Sequence, residues 1–266
     1  MLLPLSRAIA PDLDWRERCA STNSELAARA SSVPDLTVIA TDTQTAGRGR
    51  LDRVWSAASG TALAVSVLVR HDGHAGALPT ASAAAVPDPR MLGWLPLLAG
   101  VAMARAVQAL GVERAGVKWP NDVLVGERKL SGILTELTPV GVVIGAGVNL
   151  SMTADELPVP TATSLAIEGV PVDQLTDRAL AAYLGELLPL IDEWRAAPGV
   201  ETLRELVAPH LQTLGRAVRV ERAGMPPMTG TAVRLDDDGR LIVQPATTPS
   251  TLTAVAAGDI THLRYE

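Results

Sequence analysis

Residues 115–149 read AGVKWPNDVLVGERKLSGILTELTPVGVVIGAGVN, and this stretch decides the fold. Gly116–Trp119, Val123–Val125, Leu130–Leu137 and Val140–Val148 are strand-like runs rich in β-branched residues. Turn chemistry at Pro120-Asn121-Asp122 and at Gly126-Glu127 divides them. Connections this short leave consecutive strands as neighbours, so the stretch predicts a meander.

Working outward, Leu92–Leu110 is a long apolar, alanine-rich segment with Pro96 near its start and Gly111 just past its end. Those are the signals of a buried helix covering one face of the sheet. Further upstream, residues 36–41 and 61–69 read as strands, and the loop between them carries Gly47-Arg48-Gly49-Arg50. The intervening stretch from Arg70 to Arg90, with its prolines and its Ala/Ser run, is expected to be a poorly ordered surface insertion.

Downstream, Leu175, Ala179, Tyr183, Leu187, Ile191 and Trp194 have helical spacing over Asp173–Ala197, which Pro189 is expected to kink or divide. A shorter helix follows near Glu201–Val207. After Gly215 the pattern changes to short strands at Ala217–Glu221, Thr231–Leu235, Arg240–Gln244 and Thr251–Val255, the habit of a small β-barrel. The expectation is an α+β protein in two domains, 1–211 and 212–266.

With 266 residues, 47% hydrophobic and 20% charged, the chain can bury a substantial core. Its net charge of −6 gives no general basic footprint for nucleic acid or an anionic membrane. The lone Cys19 rules out an intramolecular disulfide framework and a cysteine zinc site, and it is read as structural. No window approaches the roughly 18 apolar residues of a membrane span, and Pro4 and Arg7 interrupt the N-terminal apolar start. A soluble, cytoplasmic protein is expected. Of the histidines only His71 and His74 are close in sequence, so no metal site is assigned.

Chemistry is concentrated in a few segments. The glycines of Gln44-Thr45-Ala46-Gly47-Arg48-Gly49-Arg50 let backbone approach a ligand, and the arginine forks suit phosphate or carboxylate. A solvated arginine loop or a nucleic-acid contact is the plainer reading of that motif alone. Lys118-Trp119-Pro120-Asn121-Asp122 and Lys129 bring two lysines, an amide and a carboxylate to neighbouring strands, where cations can offset charge on a phosphoryl group. An ordinary turn with exposed lysines competes with this. Ser21-Thr22-Asn23 opens a helix whose Thr22 and Glu25 are spaced as a capping box, and a helix start also offers N–H groups to a polar ligand. The glycines of Gly145-Ala146-Gly147-Val148-Asn149 could admit a planar base beside Asn149, or mark only close packing.

Taken in order, Ser21-Thr22-Asn23, Gln44 through Arg50 with Trp55, KWPND at 118–122, KLSGIL at 129–134, GAGVN at 145–149 and Thr163-Ser164-Leu165 resemble the biotin protein ligases over roughly residues 15–266. The resemblance implies a mixed, largely antiparallel sheet packed with helices, of class II synthetase-like type, plus a small C-terminal SH3-like β-barrel. It further implies that biotin is activated with MgATP to biotinyl-5′-AMP and then transferred to a lysine of a biotin carboxyl carrier domain of an acyl-CoA carboxylase.

Carried over by motif, Ser21, Thr22, Asn23 and Gln44 hold the biotin ring and ureido group, and Arg48, Gly49 and Arg50 close over biotin and the phosphate. Lys129 bridges carboxylate and phosphate. Trp55 and Asn149 frame adenine, Arg53, Lys118 and Asn121 lie on the nucleotide side, and Asp122 guides the acceptor lysine. Arg50, Lys118, Asp122 and Lys129 form the catalytic set. About 20 residues precede Ser21, so neither the family's N-terminal DNA-binding domain nor DNA binding is expected; a monomer or a weak, ligand-dependent homodimer is. The competing readings are a lipoate or octanoate ligase of the same superfamily, a biotin-sensing module without transferase activity, and a nucleic-acid-binding regulator.

Overall fold

The computed structural model describes residues 1–71, 89–222, 224–248, 250–257 and 260–265. In chain order it contains α1 (Pro4–Ile9), β1 (Asp14–Trp15), α2 (Thr22–Arg29), β2 (Val38–Thr41), β3 (Gly47–Arg48), β4 (Val54–Trp55) and β5 (Ala62–Arg70). There follow α3 (Pro89–Leu92), α4 (Leu95–Ala109), β6 (Ala115–Lys118), β7 (Asp122–Val125), β8 (Arg128–Thr138) and β9 (Gly141–Asn149). The chain continues with α5 (Leu175–Ala196), α6 (Val200–Val207), β10 (Ala217–Arg222), β11 (Met228–Leu235), β12 (Leu241–Pro245), β13 (Thr253–Val255) and β14 (Ile260–Tyr265).

Residues 115–149 form the expected meander, and they supply four strands of a seven-stranded sheet ordered β1-β2-β5-β9-β8-β7-β6. Only β1 and β2 are parallel; the remaining neighbours are antiparallel. The sheet is therefore mixed and largely antiparallel, in an α+β protein. Alternation along β5 and β9 assigns each face. Val65, Val67 and Val69 with Val142, Ile144 and Ala146 join the main core with the buried side chains of α4 and α5. Leu68 and Val143 pack on the opposite face with Ile39 and with Leu26 of α2. Among the described residues most of the helical mass thus covers one face, and the other carries α2 at one end.

The Arg70–Arg90 insertion lies, from 72 to 88, outside the described residues. Helix α5 neither stops nor divides at Pro189. A proline removes a single N–H donor, and buried Leu184, Leu187, Leu190 and Ile191 around it hold the helix in the core. The capping box is also corrected. Ser21, not Thr22, caps α2, its hydroxyl 3.4 Å from Ser24 N, while Glu25 turns to Arg16 at 2.8 Å and to the Cys19 thiol at 3.1 Å. Thr22 has other work, described below.

The arginine motif is not simply a loop. Gly47 and Arg48 pair with Trp55 and Val54 in a two-stranded ribbon, whose tip is a 3-10 turn containing Leu51 at φ 55°. Helices α1 and α3 and strands β1 and β14 went unforeseen. Helix α1 is anchored by buried Asp177, which accepts from Leu5 N and Ser6 N at 2.9 Å and from Ser6 Oγ at 2.6 Å. Strand β14 completes a five-stranded antiparallel sheet, β13-β12-β11-β10-β14, built from the C-terminal run of short strands.

Candidate functional site

The open face of the large sheet holds a cavity of about 390 Å³. Its floor follows from register. Ala64 pairs with Gly147, Gly147 with Gly132, Gly132 with Asp122 and Asp122 with Lys118, so one row crosses four sheet neighbours from small side chains to charged ones. Small residues in the middle make a trough, and the wall residues rise from α2, the ribbon and the C-terminal sheet. Every sequence-predicted site residue lines this one cavity: Ser21, Thr22, Asn23, Gln44, Arg48, Gly49, Arg50, Arg53, Trp55, Lys118, Asn121, Asp122, Lys129 and Asn149.

One end is a network of hydroxyl and amide side chains, bordered by the Arg48–Glu136 ion pair. Gln44 Oε1 accepts from Thr22 N at 2.9 Å, and Ser66 Oγ lies 2.6 Å from Asn23 Oδ1 and 2.8 Å from Thr22 Oγ1. Asn23 Nδ2 donates to Leu134 O at 3.0 Å and to Glu136 Oε2 at 2.8 Å. Thr22, Asn23 and Ser66 are buried and Gln44 and Glu136 half-buried, so satisfying these groups restricts each side chain to few orientations. Glycines make the network possible: a Cβ at Gly145 would meet Asn23 Oδ1 at 2.0 Å, and one at Gly47 would meet Gln44 Nε2 at 2.3 Å. Backbone pairing carries Gln44 there, since Cys19 N donates to Thr43 O at 3.0 Å and Thr45 N to Cys19 O at 2.9 Å.

The other end is cationic. Lys129 Nζ lies 2.6 Å from Asp122 Oδ1, and Arg50 donates to Asn121 Oδ1 at 3.0 Å and to the carbonyl of Ala257. Asn121 in turn is locked to β8, its Nδ2 donating to Ile133 O at 2.9 Å and its carbonyl accepting from Ile133 N at 2.8 Å. Lys118 Nζ sits 5.0 Å from the centre of the Tyr265 ring. Burial lowers the Lys118 pKa, Asp122 opposes the shift and Lys129 adds to it. Burial likewise lowers that of Arg50. Positive charge held where water is scarce is what an anionic ligand would relieve.

Between the two ends Trp55 covers the floor, and a Cβ at Gly147 would come within 2.9 Å of its Cε2 and Cζ2. The wall beyond is set by Asn149, whose Nδ2 donates to Thr163 O at 2.8 Å. Thr163 N closes the same loop onto β8 by donating to Lys129 O at 2.8 Å.

Three groups at the site were missed in the sequence. Ser66 carried a usable signal, being the one hydroxyl in the apolar run 62–69. Glu136 carried a weaker one, as an acid on the trough-facing parity of β8. Thr213, which accepts from Trp119 N at 2.9 Å and shares a 3.2 Å hydrogen bond with the Tyr265 hydroxyl, carried none, because only the packing of the C-terminal sheet brings it to the KWPND turn.

A mixed sheet bearing this trough is matched by the family model described as Biotin/lipoate A/B protein ligase family over residues 15–149, and by Biotin protein ligase C terminal domain over 213–263. The chain belongs to the biotin/lipoate protein ligase family. It is 37% identical over 257 residues to the biotin–[acetyl-CoA-carboxylase] ligase of Mycobacterium tuberculosis, covering 95% of this chain and 89% of that protein. It is 31% identical over 238 residues to the biotin–[acetyl-CoA-carboxylase] ligase of Paracoccus denitrificans, covering 85% and 92%. Among solved structures, the biotin protein ligase from Aquifex aeolicus in complex with biotin and ATP superposes with a TM-score of 0.73 at 25% identity, covering 96% of this chain and 99% of that one.

Proposed function

We propose that this enzyme activates biotin with ATP, giving biotinyl-5′-AMP and pyrophosphate, and then transfers biotin to a lysine of a biotin carboxyl carrier domain of an acyl-CoA carboxylase. The observation that carries the reading is the polarity of the trough: hydroxyl and amide groups at one end, where the single cation Arg48 is neutralised by Glu136, excess positive charge at the other, and a floor of small residues between. A ring with ureido donors and acceptors suits the Thr22, Asn23 and Gln44 end. A lipoyl or octanoyl chain would set apolar carbon against those buried polar groups, which is unfavourable.

In the first step a biotin carboxylate oxygen attacks the α-phosphorus, forming the acyl–O–P bond of a mixed anhydride while the bond from Pα to the bridging oxygen breaks and pyrophosphate leaves. Catalysis here is alignment and charge neutralisation. Lys129 bridges carboxylate and phosphate, Lys118, Arg50 and Arg53 stand on the nucleotide side with Asn121, and Trp55 and Asn149 frame adenine. Ser21 and Gly49 complete the biotin end and the lid. In the second step the acceptor amine attacks the acyl carbon, AMP leaves, and an amide forms. Asp122 orients the incoming amine, and its proton passes to solvent.

Among the described residues no group of three or more His, Cys, Asp or Glu stands together as a metal cage, and the nearest carboxylates, Asp122 and Glu136, are paired with Lys129 and Arg48. The protein's residues do not fit a resident ion, so Mg²⁺ is assigned to the ATP phosphates as part of the substrate. Further parts of the proposal are a division into domains 1–211 and 212–266, a cytoplasmic setting, and a monomer or weak ligand-dependent homodimer without DNA binding. The acidic chain supports the last, and no described helix is long and apolar enough to cross a membrane.

The test is transfer: protein, ATP, Mg²⁺ and labelled biotin incubated with a biotin carrier domain. Label on the carrier's target lysine, lost when that lysine becomes arginine, is the expected result. No label on the intact carrier would refute the transferase reading.

A further inference from the structure

We infer that Glu136 is a positioning residue that latches the arginine ribbon to the biotin end of the trough, acting through Arg48 and Asn23. The inference rests on the biotin-ligase reading above. Glu136 lies on β8, its backbone paired with Val143. Its carboxylate accepts from Arg48 Nη2 at 2.8 and 2.9 Å and from Asn23 Nδ2 at 2.8 Å, and the same Nη2 donates to Ser24 Oγ at 2.9 Å. One acid therefore joins three elements: the ribbon, the start of α2 and the sheet.

The ribbon needs such ties. Strands β3 and β4 pair only with each other, and an isolated two-stranded ribbon is marginal in water. Backbone ties at Thr45 and Ala46 hold its base, and side chains anchor the ribbon itself, among them Trp55 against Gly147, Arg50 on Asn121 and Ala257, and Arg48 on Glu136. The Arg50 anchor serves the phosphate end and the Arg48 anchor the biotin end. Arg48 thus spends Nη2 on Glu136 and Ser24, which makes it a closing clasp, while Lys118, Lys129 and Arg50 supply the charge beside the phosphate.

Glu136 also settles which way Asn23 faces. With Nδ2 given to Glu136 and Leu134 O, Asn23 Oδ1 is left toward Ser66. Removing the carboxylate would loosen the clasp and free the amide to turn. The pair is partly exposed, at 44% for Arg48 and 26% for Glu136, so salt screens it.

The experiment preloads the full-length protein with biotinyl-AMP and measures its release from wild type, Glu136→Gln, Arg48→Ala and the Glu136→Gln/Arg48→Ala double variant. Glu136→Gln keeps the shape and removes the charge. It is expected to release the adenylate about fivefold faster, the scale of a partly exposed ion pair. Wild-type release should quicken with NaCl more steeply than Glu136→Gln release, and the double variant should fall short of the product of the two single effects. Release from Glu136→Gln at the wild-type rate, or additive effects in the double variant, would overturn the latch. Hydrogen exchange of residues 47–55 in the ligand-free protein reads the latch separately. Faster exchange in Glu136→Gln supports it and unchanged exchange overturns it, even if the wild type fails to form an adenylate and the ligase reading falls instead.

Discussion

Lys129 Nζ reaches Asp122 Oδ1 at 2.6 Å across the paired strands β7 and β8, beside the small-residue row of the trough. In the proposed mechanism the two side chains neutralise each other until an anion draws the lysine or an amine draws the carboxylate, which would divide the two half-reactions between them. Lys129→Ala is expected to lower adenylate formation by about 10²–10³-fold, the scale of losing a preorganised charge. Asp122→Asn is expected to slow transfer from preformed adenylate by about 10²-fold and to affect adenylate formation less. Single-turnover assays of each step measure this, and an equal loss in both steps for Asp122→Asn would remove its proposed role.

The glycines of β9 make a sharper steric prediction. Gly147→Ala must displace Trp55 and Gly145→Ala must displace Asn23, at a cost of about 1–3 kcal/mol each for overpacking. Gly147→Ala should raise KM mainly for ATP and Gly145→Ala mainly for biotin. Gly199, with nothing within 4 Å of its added Cβ, should accept alanine within about 0.5 kcal/mol. Urea unfolding and initial rates check all three substitutions.

Cys19 offers a pH test of the wall behind Gln44. Burial, and then its hydrogen bond to Glu25, push the thiol up to about 11. The folded chain therefore keeps a proton that the unfolded chain loses, so this contribution to stability is complete below the ordinary thiol range and declines as pH rises toward about 11. Unfolding free energy measured across that window should fall more steeply for wild type than for Cys19→Ala. Parallel curves would contradict the burial of the thiol.

The meander could be read directly because its evidence is local: β-branched runs, a Pro-Asn-Asp turn and a Gly-Glu turn, each within a few residues. The same holds for α4 and for β10 to β12. The convergence of Thr22, Gln44, Trp55 and Lys129 on one cavity came from the resemblance and not from their spacing, because it depends on strand register and, at β7–β8, on a shift between Val123 and Leu124. The residues were named from motifs, while their contacts required the fold. Thr22 was misread as a cap because a hydroxyl one position earlier does that work, and Pro189 does not divide α5 because core packing outweighs one lost donor. Glu136 went unremarked since its facing side follows from pairing with β9.

The central claim is that biotin is the acid activated here, and the direct measurement is acid-dependent exchange of labelled pyrophosphate into ATP. Exchange should depend on biotin and be absent with lipoate or octanoate. Exchange driven by lipoate or octanoate instead of biotin would contradict the account.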